Sequence, residues 1–216
     1  HRCAIGNNCI IDSFSALGGL PQIANFKISD AGIVTIGDNT VVREHVTLST
    51  ASAKDRSTRI GSHCLLMACS HVAHDCVLEN NIILANNALL GGHTHLQNDC
   101  FIGGNSAIHQ DCTVGAGAIV SGVSGISKNI PPQCMVANRN ELIGLNIVGL
   151  RRRGVSPASI GELSKYFCTI FKKMTGKFCE RAEKLLSENK IEYKETIQFL
   201  EFFKNESPKG FCNPRK

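Results

Sequence analysis

A branched aliphatic residue stands at every sixth position from Ile60 to Ile126 of this 216-residue chain. An α-helix repeats with a period near 3.6 and a half-buried strand with a period near 2, so neither produces this series. A period of six is typical of a hexapeptide-repeat parallel β-helix, in which each flat side of the coil turns one aliphatic side chain inward. The members are Ile60, Leu66, Val72, Leu78, Leu84, Leu90, Leu96, Ile102, Ile108, Val114, Val120 and Ile126.

The residue two places after each aliphatic is often asparagine or glycine, and these residue types tolerate the backbone angles of tight corners. We therefore expect a triangular coil with three hexads, or about 18 residues, per turn and with turns roughly 4.8 Å apart. The predicted fold class is a left-handed parallel β-helix followed by a small α-helical domain. The corner positions are Asn80, Asn86, Gly92, Asn98, Gly104 and Gly122.

The repeat also occurs upstream, and two polar stretches interrupt it. We expect loops at 18–35 and 49–59, because insertions in a solenoid usually form loops, often on the binding face. The predicted domains are a catalytic coil over residues 1–136 and a helical domain over 137–216. The upstream repeats are Ile5, Ile11 and Leu17, then Ile36, Val42 and Leu48.

The repeat ends at the Ile130-Pro131-Pro132 segment, and a helical pattern is predicted from about Glu141. Ser156 and Pro157 form a helix start, with serine as N-cap and proline in the first turn. Further helices are predicted over about 177–189 and 192–204. An apolar stripe at helical spacing is expected to pack between helices; it comprises Leu163, Tyr166, Phe167, Ile170 and Phe171.

The chain has 11 cysteines, and four of them follow a repeat aliphatic by four places. Serine, alanine and threonine occupy the same position elsewhere, so it favours a small residue inside a narrow coil. Buried cysteine behaves there as a small hydrophobe, and this interpretation is favoured over disulfides or metal ligands. Free cysteines agree with a reducing cytoplasm, in which disulfides are rare. The four are Cys64, Cys76, Cys100 and Cys112.

The net charge of +5 is concentrated in residues 151–216, which hold 15 Lys and Arg against 8 Asp and Glu. Such a tail could bind an acidic protein, a membrane surface or nucleic acid. Few aromatics interleave with the basic residues, so nucleic-acid binding is not expected. No apolar run approaches the ~20 residues of a membrane span, so no membrane insertion is expected.

Three histidines are predicted to meet at one edge of the coil. With 18 residues per turn, His74 stacks beneath Gly92 and then Gln110, while His93 and His109 lie one step to either side of that column. An imidazole there could act as a general base near neutral pH, and the N–H of Gly92 could stabilise an oxyanion. Solvent-facing polar corners are the alternative for any single histidine. Three histidines could also bind zinc, as in β-helical carbonic anhydrases.

Several ordered motifs across nearly the whole chain resemble the UDP-N-acetylglucosamine O-acyltransferase family, whose members begin lipid A synthesis. The most specific is H-V-A-H-D-C at His71–Cys76. Relative to the family, several N-terminal coils are absent before His1. The other motifs are Pro21-Gln22, Arg43-Glu44, Leu84–Ala88, Gly91–His93, Ala107–Gln110, Ser124-Gly125, Ile130–Pro132 and Asn146–Gly154.

The resemblance implies transfer of a 3-hydroxyacyl group from acyl carrier protein to the 3-hydroxyl of the sugar nucleotide. His74 matches the catalytic base and Gly92 the oxyanion donor. Asp75 matches the residue that holds the acyl hydroxyl, and Gly122 a position that helps to set acyl length. The remaining substrate-contacting positions are Gln22, His71, His93, His109, Gln110, Asn146 and Arg152.

The chain departs from the family mainly at acceptor-side positions. Ile23 and Asn25 replace an aspartate and a lysine, Val148 replaces a glutamate, and the T-I-H-R motif becomes Thr47–Thr50. The same chemistry on a modified acceptor, such as a 3-amino sugar nucleotide, is therefore an alternative. A non-catalytic relative is a further one. We expect a cytoplasmic homotrimer that uses neither cofactor nor metal and recruits the acidic carrier with its basic tail.

Overall fold

In the computed structural model, which describes residues 2–172, 176–188, 190–204 and 207–214, short parallel strands stack into three sheets along one coil. Each strand pairs with the equivalent strand of the next turn, and from β7 to β18 the register shift is 18 residues, as in Val77↔His95. The predicted left-handed parallel β-helix is confirmed.

Sheet I contains β1 (Cys3–Ile5), β4 (Ile33–Ile36), β7 (Ser57–Ile60), β10 (Val77–Leu78), β13 (His95–Leu96) and β16 (Thr113–Val114). Sheet II contains β2 (Ile10–Ile11), β5 (Val41–Val42), β8 (Leu65–Leu66), β11 (Ile83–Leu84), β14 (Phe101–Ile102), β17 (Ile119–Val120), β19 (Cys134–Ala137) and β20 (Glu141–Leu145). Sheet III contains β3 (Ala16–Gly19), β6 (Thr47–Ser49), β9 (His71–Val72), β12 (Leu89–Leu90), β15 (Ala107–Ile108) and β18 (Gly125–Ile126).

The inward positions follow the repeat. All twelve aliphatics from Ile60 to Ile126 are at most 3% exposed. The small-residue positions between them are buried as well, and Cys76 and Cys100 there are free thiols. Burial raises the pKa of each of these two thiols to about 12, so they stay protonated and pack as small apolar groups.

The corner geometry differs from the prediction by one residue. From His63 to Val123, the residue with positive φ lies three places after each aliphatic, not two, as at Asp75, His93 and Asp111. The preceding asparagines and glycines serve other needs. Asn98 Oδ1, for example, accepts a hydrogen bond from the Asn80 N–H of the previous turn at 3.0 Å.

Both insertions are shorter than predicted, because strands extend into them at each end. The first occupies residues 20–32 and contains the 3-10 turn Ile28–Asp30, and the second occupies residues 50–56. Strand pairing also continues beyond residue 136, since β19 and β20 form an antiparallel pair. The segment from Glu141 is therefore a strand, and the helical pattern predicted there was wrong.

In the part of the chain that the structure describes, four helices follow: α1 (Ile147–Arg152), α2 (Pro157–Lys172), α3 (Phe178–Glu188) and α4 (Lys194–Glu201). The Ser156 hydroxyl caps α2 by accepting the Ser159 N–H at 3.2 Å, as predicted. The last residue of the helix predicted over 177–189 lies outside the described residues. The predicted apolar stripe of α2 packs inward, and Phe171 contacts Phe199 and Phe203 of the last helical segment.

The last helical segment (residues 194–204) and the C-terminal tail (residues 207–214) lie over the outer face of sheet I. A groove of about 630 Å³ between them is lined by His95 and Thr113 of the sheet and by Gln198 and Phe202 of the helical segment. Across the described residues, no helix combines the length and the apolar character needed to cross a membrane.

Candidate active site

One edge of the triangular coil, here called edge III–I, carries most of the predicted site. The chain passes from sheet III to sheet I at this edge on five successive turns. The first two passages are the loops 20–32 and 50–56, and the next three carry His74-Asp75, Gly92-His93 and Gln110-Asp111. The regular winding therefore brings residues that are distant in sequence into one column, as predicted.

His74 and Asp75 form a hydrogen-bonded pair at the centre of this edge. His74 Nδ1 lies 2.8 Å from Asp75 Oδ2, and the two side chains are 18% and 6% exposed. The Ser52 N–H of the second loop donates to both Asp75 carboxylate oxygens, at 3.1 and 3.2 Å. Although burial opposes ionisation, the hydrogen bonds from Ser52 and His74 lower the pKa of Asp75 below its usual value. The ionised carboxylate favours the tautomer with the proton on Nδ1 and leaves His74 Nε2 as a base.

Gly92, on the turn after His74, lies directly against the His74 ring. A Cβ at residue 92 would stand 2.7 Å from His74 Cε1 and 2.8 Å from Nε2, so no larger residue fits there without moving the imidazole. Within the described residues, the N–H of Gly92 has no protein acceptor. A base nitrogen and an unused backbone donor are therefore neighbours.

His93 and His71 flank this pair on two sides. His93 stacks edge-on against His74 with 5.2 Å between ring centroids, and its Nε2 lies 3.7 Å from Asp75 Oδ2. His71 belongs to β9 on the adjoining face, where its Nδ1 lies 2.7 Å from the Thr47 hydroxyl. Burial lowers the pKa of His71, which favours its neutral form.

His109 and Gln110 lie on the last of the five passages and are exposed. Lys209 from the C-terminal tail reaches this passage, with Nζ 3.2 Å from His109 Nδ1 and 3.9 Å from Asp111 Oδ2. Sequence reasoning missed Lys209, because the two positions are a hundred residues apart and the tail carries no repeat to place it.

Four other predicted residues lie apart from the histidines in this chain. Gln22 is exposed on the first loop, at the same edge but two turns away from His74. Gly122 lies between β17 and β18, on the edge that joins sheets II and III. Asn146 and Arg152 lie at the two ends of α1.

Asn146 already has structural partners. It is 6% exposed, its Oδ1 accepts the Gly149 N–H at 2.9 Å, and its Nδ2 donates to Gly117 O at 2.9 Å. Arg152, in contrast, is exposed. The substrate roles of both residues stay predictions.

Three groups that hold Asp75 or His71 in place were also missed by the sequence analysis. Thr58 Oγ1 accepts the Asp75 N–H at 2.8 Å, Ser52 holds the Asp75 carboxylate, and Thr47 holds His71. Thr58 and Thr47 lie one turn below their partners on neighbouring strands. The 18-residue period places Thr58 beneath Cys76, the neighbour of Asp75, and so could have located it, but it could not locate the loop residue Ser52.

His74, Asp75 and His93 also offer three metal-binding atoms within 4.8 Å of one another. Imidazole and carboxylate are suitable ligands for zinc or for a non-haem iron. However, Asp75 Oδ2 is already the acceptor for His74 and Ser52. A metal bound to this oxygen would compete with these hydrogen bonds.

Comparison with known proteins agrees with this geometry. The family described as "Udp N-acetylglucosamine O-acyltransferase; Domain 2" matches residues 129–212. An acyl-[acyl-carrier-protein]--UDP-N-acetylglucosamine O-acyltransferase of Thermodesulfovibrio yellowstonii is 40% identical over 210 residues, covering 96% of this chain and 80% of the relative. The Campylobacter lari enzyme of the same name is 45% identical over 170 residues, which are 78% of this chain and 64% of that protein.

A solved structure gives the same answer for the fold. The UDP-N-acetylglucosamine acyltransferase from Campylobacter jejuni superimposes with a TM-score of 0.87 at 35% identity, covering 99% of this chain and 89% of that one. Together with these relatives, the parallel β-helix places the chain in the class of hexapeptide-repeat acyltransferases. The chain belongs to the UDP-N-acetylglucosamine O-acyltransferase family.

Proposed function

We propose that this chain transfers a 3-hydroxyacyl group from acyl carrier protein to the 3-hydroxyl of UDP-N-acetylglucosamine, with His74 as the general base. The observation that carries the proposal is the arrangement at edge III–I: His74 is held by the Asp75 carboxylate at 2.8 Å and lies against Gly92, whose N–H has no acceptor among the described residues. This arrangement supplies a base and an oxyanion donor side by side, as acyl transfer requires.

In the reaction, His74 Nε2 removes the proton from the acceptor hydroxyl as its oxygen attacks the thioester carbonyl carbon. The resulting tetrahedral oxyanion accepts a hydrogen bond from the Gly92 N–H. When the intermediate collapses, the carbon–sulfur bond breaks and the carrier thiolate takes the proton from the imidazolium. Asp75 keeps the His74 tautomer fixed and stabilises the imidazolium that forms between the two steps.

The proposal includes a homotrimer, which the outer face of sheet II supports. Ile10, Val41, Leu65, Ile83, Phe101, Ile119 and Met135 form one in-register column on that face. Such a row is typical of an interface, since it would otherwise face water. Packing between subunits could also bring Gly122, Asn146 and Arg152 of one subunit towards edge III–I of another.

The departures from the family fall on the acceptor side of the site. Ile23 and Asn25 lie on the first loop and Val148 in α1, so two charges expected near the acceptor are absent and a carboxylate is replaced. A 3-amino sugar nucleotide is the alternative acceptor. A cytoplasmic role in lipid A synthesis and recruitment of the carrier by the basic tail complete the proposal.

The test is an assay of the purified protein with 3-hydroxyacyl carrier proteins of several acyl lengths against UDP-N-acetylglucosamine and its 3-amino analogue. Mass spectrometry of the product identifies both the acceptor and the acyl length. We expect acylation of the 3-hydroxyl. Transfer to the amine alone would support the alternative acceptor, and no transfer to either would favour a non-catalytic relative. Light scattering of the same sample should give three times the subunit mass.

A zinc hydrolyase is the second candidate, and the three converging donors of His74, Asp75 and His93 favour it. The measurement is the zinc content of protein purified without chelators. About one zinc per subunit, lost together with activity on chelation, would support this function. Acyl transfer that is unaffected by a chelator would exclude it.

A further inference from the structure

The C-terminal tail is tied to the end of the coil by backbone hydrogen bonds. The Asn129 N–H donates to Gly210 O at 3.0 Å, the Cys212 N–H donates to Asn129 O at 2.9 Å, and the Leu142 N–H donates to Asn213 O at 3.0 Å. Phe211, 8% exposed, packs against Phe203 with 4.8 Å between ring centroids. The backbone on the C-terminal side of Lys209 is therefore anchored to the coil.

A turn fixes the direction of Lys209. Gly210 has a φ of +61°, and its N–H donates to Ser207 O at 2.9 Å, while the Lys209 N–H donates to Ser207 Oγ at 3.3 Å. The Lys209 side chain is 21% exposed and extends to edge III–I. A lysine that is mostly buried and whose main chain is fixed loses little further freedom when its ammonium makes a contact.

The Lys209 ammonium and the Gln110 carbonyl oxygen both contact the same atom, His109 Nδ1. His109 Nδ1 lies 3.2 Å from Lys209 Nζ and 3.2 Å from Gln110 O. An ammonium can only donate and a carbonyl oxygen can only accept, so the two contacts require opposite states of Nδ1. Asp111 Oδ2 at 3.9 Å holds the ammonium at this place.

We propose that Lys209 is a positioning residue that donates to His109 Nδ1, keeps the proton on Nε2, and so presents His109 as a hydrogen-bond donor to an acceptor oxygen of the substrate. The inference rests on the proposed function for the substrate contact, but the tautomer itself does not. His74 and His109 then hold opposite tautomers on one edge. Asp75 gives His74 a bare Nε2 to accept a proton, and Lys209 gives His109 an Nε2–H to bind a substrate oxygen.

The tautomer is measured directly by long-range proton–nitrogen NMR on ¹⁵N-histidine-labelled protein without substrate, with His109 assigned from a His109→Gln variant. We expect the Nε2–H form in the wild type and in Lys209→Arg. In Lys209→Met, Nδ1 is free to donate to Gln110 O, and we expect the Nδ1–H form. Lys204→Met is the matched control, since it removes one exposed positive charge nearby in the sequence and should leave His109 unchanged.

Kinetics supply the second readout. Lys209→Met should raise KM for the substrate that contacts His109 by about fivefold with kcat within twofold. Lys209→Arg should keep the KM of the wild type. The inference is overturned if His109 keeps the Nε2–H form in Lys209→Met, if the wild type shows the Nδ1–H form, or if the tautomer changes with no change in KM. A wild type that transfers no acyl group overturns the proposed function instead, and the NMR result still decides the role of Lys209.

Discussion

Edge III–I and the edge between sheets I and II are built from the same repeat, and they use their corner residues differently. On the I–II edge, amide and carboxyl side chains stack on one another: Asn81 Nδ2 donates to Asp99 Oδ1 at 3.0 Å, and the Asn80 N–H donates to Asn98 Oδ1 at 3.0 Å. On edge III–I, the equivalent corner Asp75 accepts from His74 and Ser52 instead.

The comparison separates structural corners from chemical ones. The stacked amides bond to one another along the coil, so they contribute to stability. Edge III–I places an imidazole against a glycine and adds two loops, so polar atoms remain available for a substrate. The difference between the edges thus comes from which residues occupy the corners and not from the corner geometry, which is common to all edges.

The largest expected effect is that of His74→Asn, which should lower kcat/KM by about 10²–10⁴-fold because the general base is lost. His63→Asn is the matched control, since His63 is an exposed corner histidine between sheets I and II. Steady-state kinetics with unchanged thermal melting would check both. Equal losses of kcat/KM in the two variants would show that the two edges do not differ in their role in catalysis.

Asp75→Asn should lower kcat about hundredfold, because the neutral amide no longer fixes the His74 tautomer or stabilises the imidazolium. Asp99→Asn alters the equivalent corner on the I–II edge and should keep activity within threefold. Both variants retain a residue type that tolerates positive φ. A fully active Asp75→Asn would show that the carboxylate does not orient the base.

Gly92→Ala should lower kcat about tenfold or more, because the new Cβ would stand 2.7–2.8 Å from two His74 ring atoms and displace the imidazole. Gly104→Ala provides the comparison at the same repeat position on another edge, where the nearest atom is 3.2 Å away. We expect it to stay within threefold of the wild type. The prediction fails if the two alanine variants have the same kcat.

On the I–II edge the effect should be on stability. Asn98→Ala removes the acceptor for the Asn80 N–H and the donor to Glu79 Oε2 at 2.7 Å. We expect the free energy of unfolding to fall by about 1–2 kcal/mol with kcat unchanged. Chemical denaturation and the acyl-transfer assay check the two halves. A loss of activity without loss of stability would contradict the structural role of that edge.

The smallest effect is a pH dependence. Since the pKa of Asp75 is lowered in the folded state from its usual 3.8, its ionised form favours folding above that pH, and the contribution is lost as the pH falls through the folded-state pKa. The wild type should therefore lose more stability than Asp75→Asn when the pH falls from 5 to below 3.8. Denaturant melts across this range measure the difference. Parallel curves would contradict the lowered pKa.

The positions set by the six-residue repeat could be predicted from the sequence, whereas contacts made by segments outside the repeat could not. The twelve inward aliphatics, the cysteine positions and the meeting of His74, Gly92 and His93 follow from the six-residue repeat, because each turn repeats the same register. The Ser52 N–H and the Lys209 ammonium come from a loop and from the tail, where no period fixes the position. The strand from Glu141 was missed because its pairing with β19 is antiparallel and outside the repeat.

The most direct test of the central claim is the tautomer of His74, read in the same NMR spectrum as His109. Asp75 should hold the proton on His74 Nδ1 and leave Nε2 bare, with His109 in the opposite Nε2–H form. In Asp75→Asn the preference of His74 should weaken, while His109 should not change. A His74 that carries its proton on Nε2 in the wild type would have no free base nitrogen at that position, and the proposed role of edge III–I in acyl transfer would be contradicted.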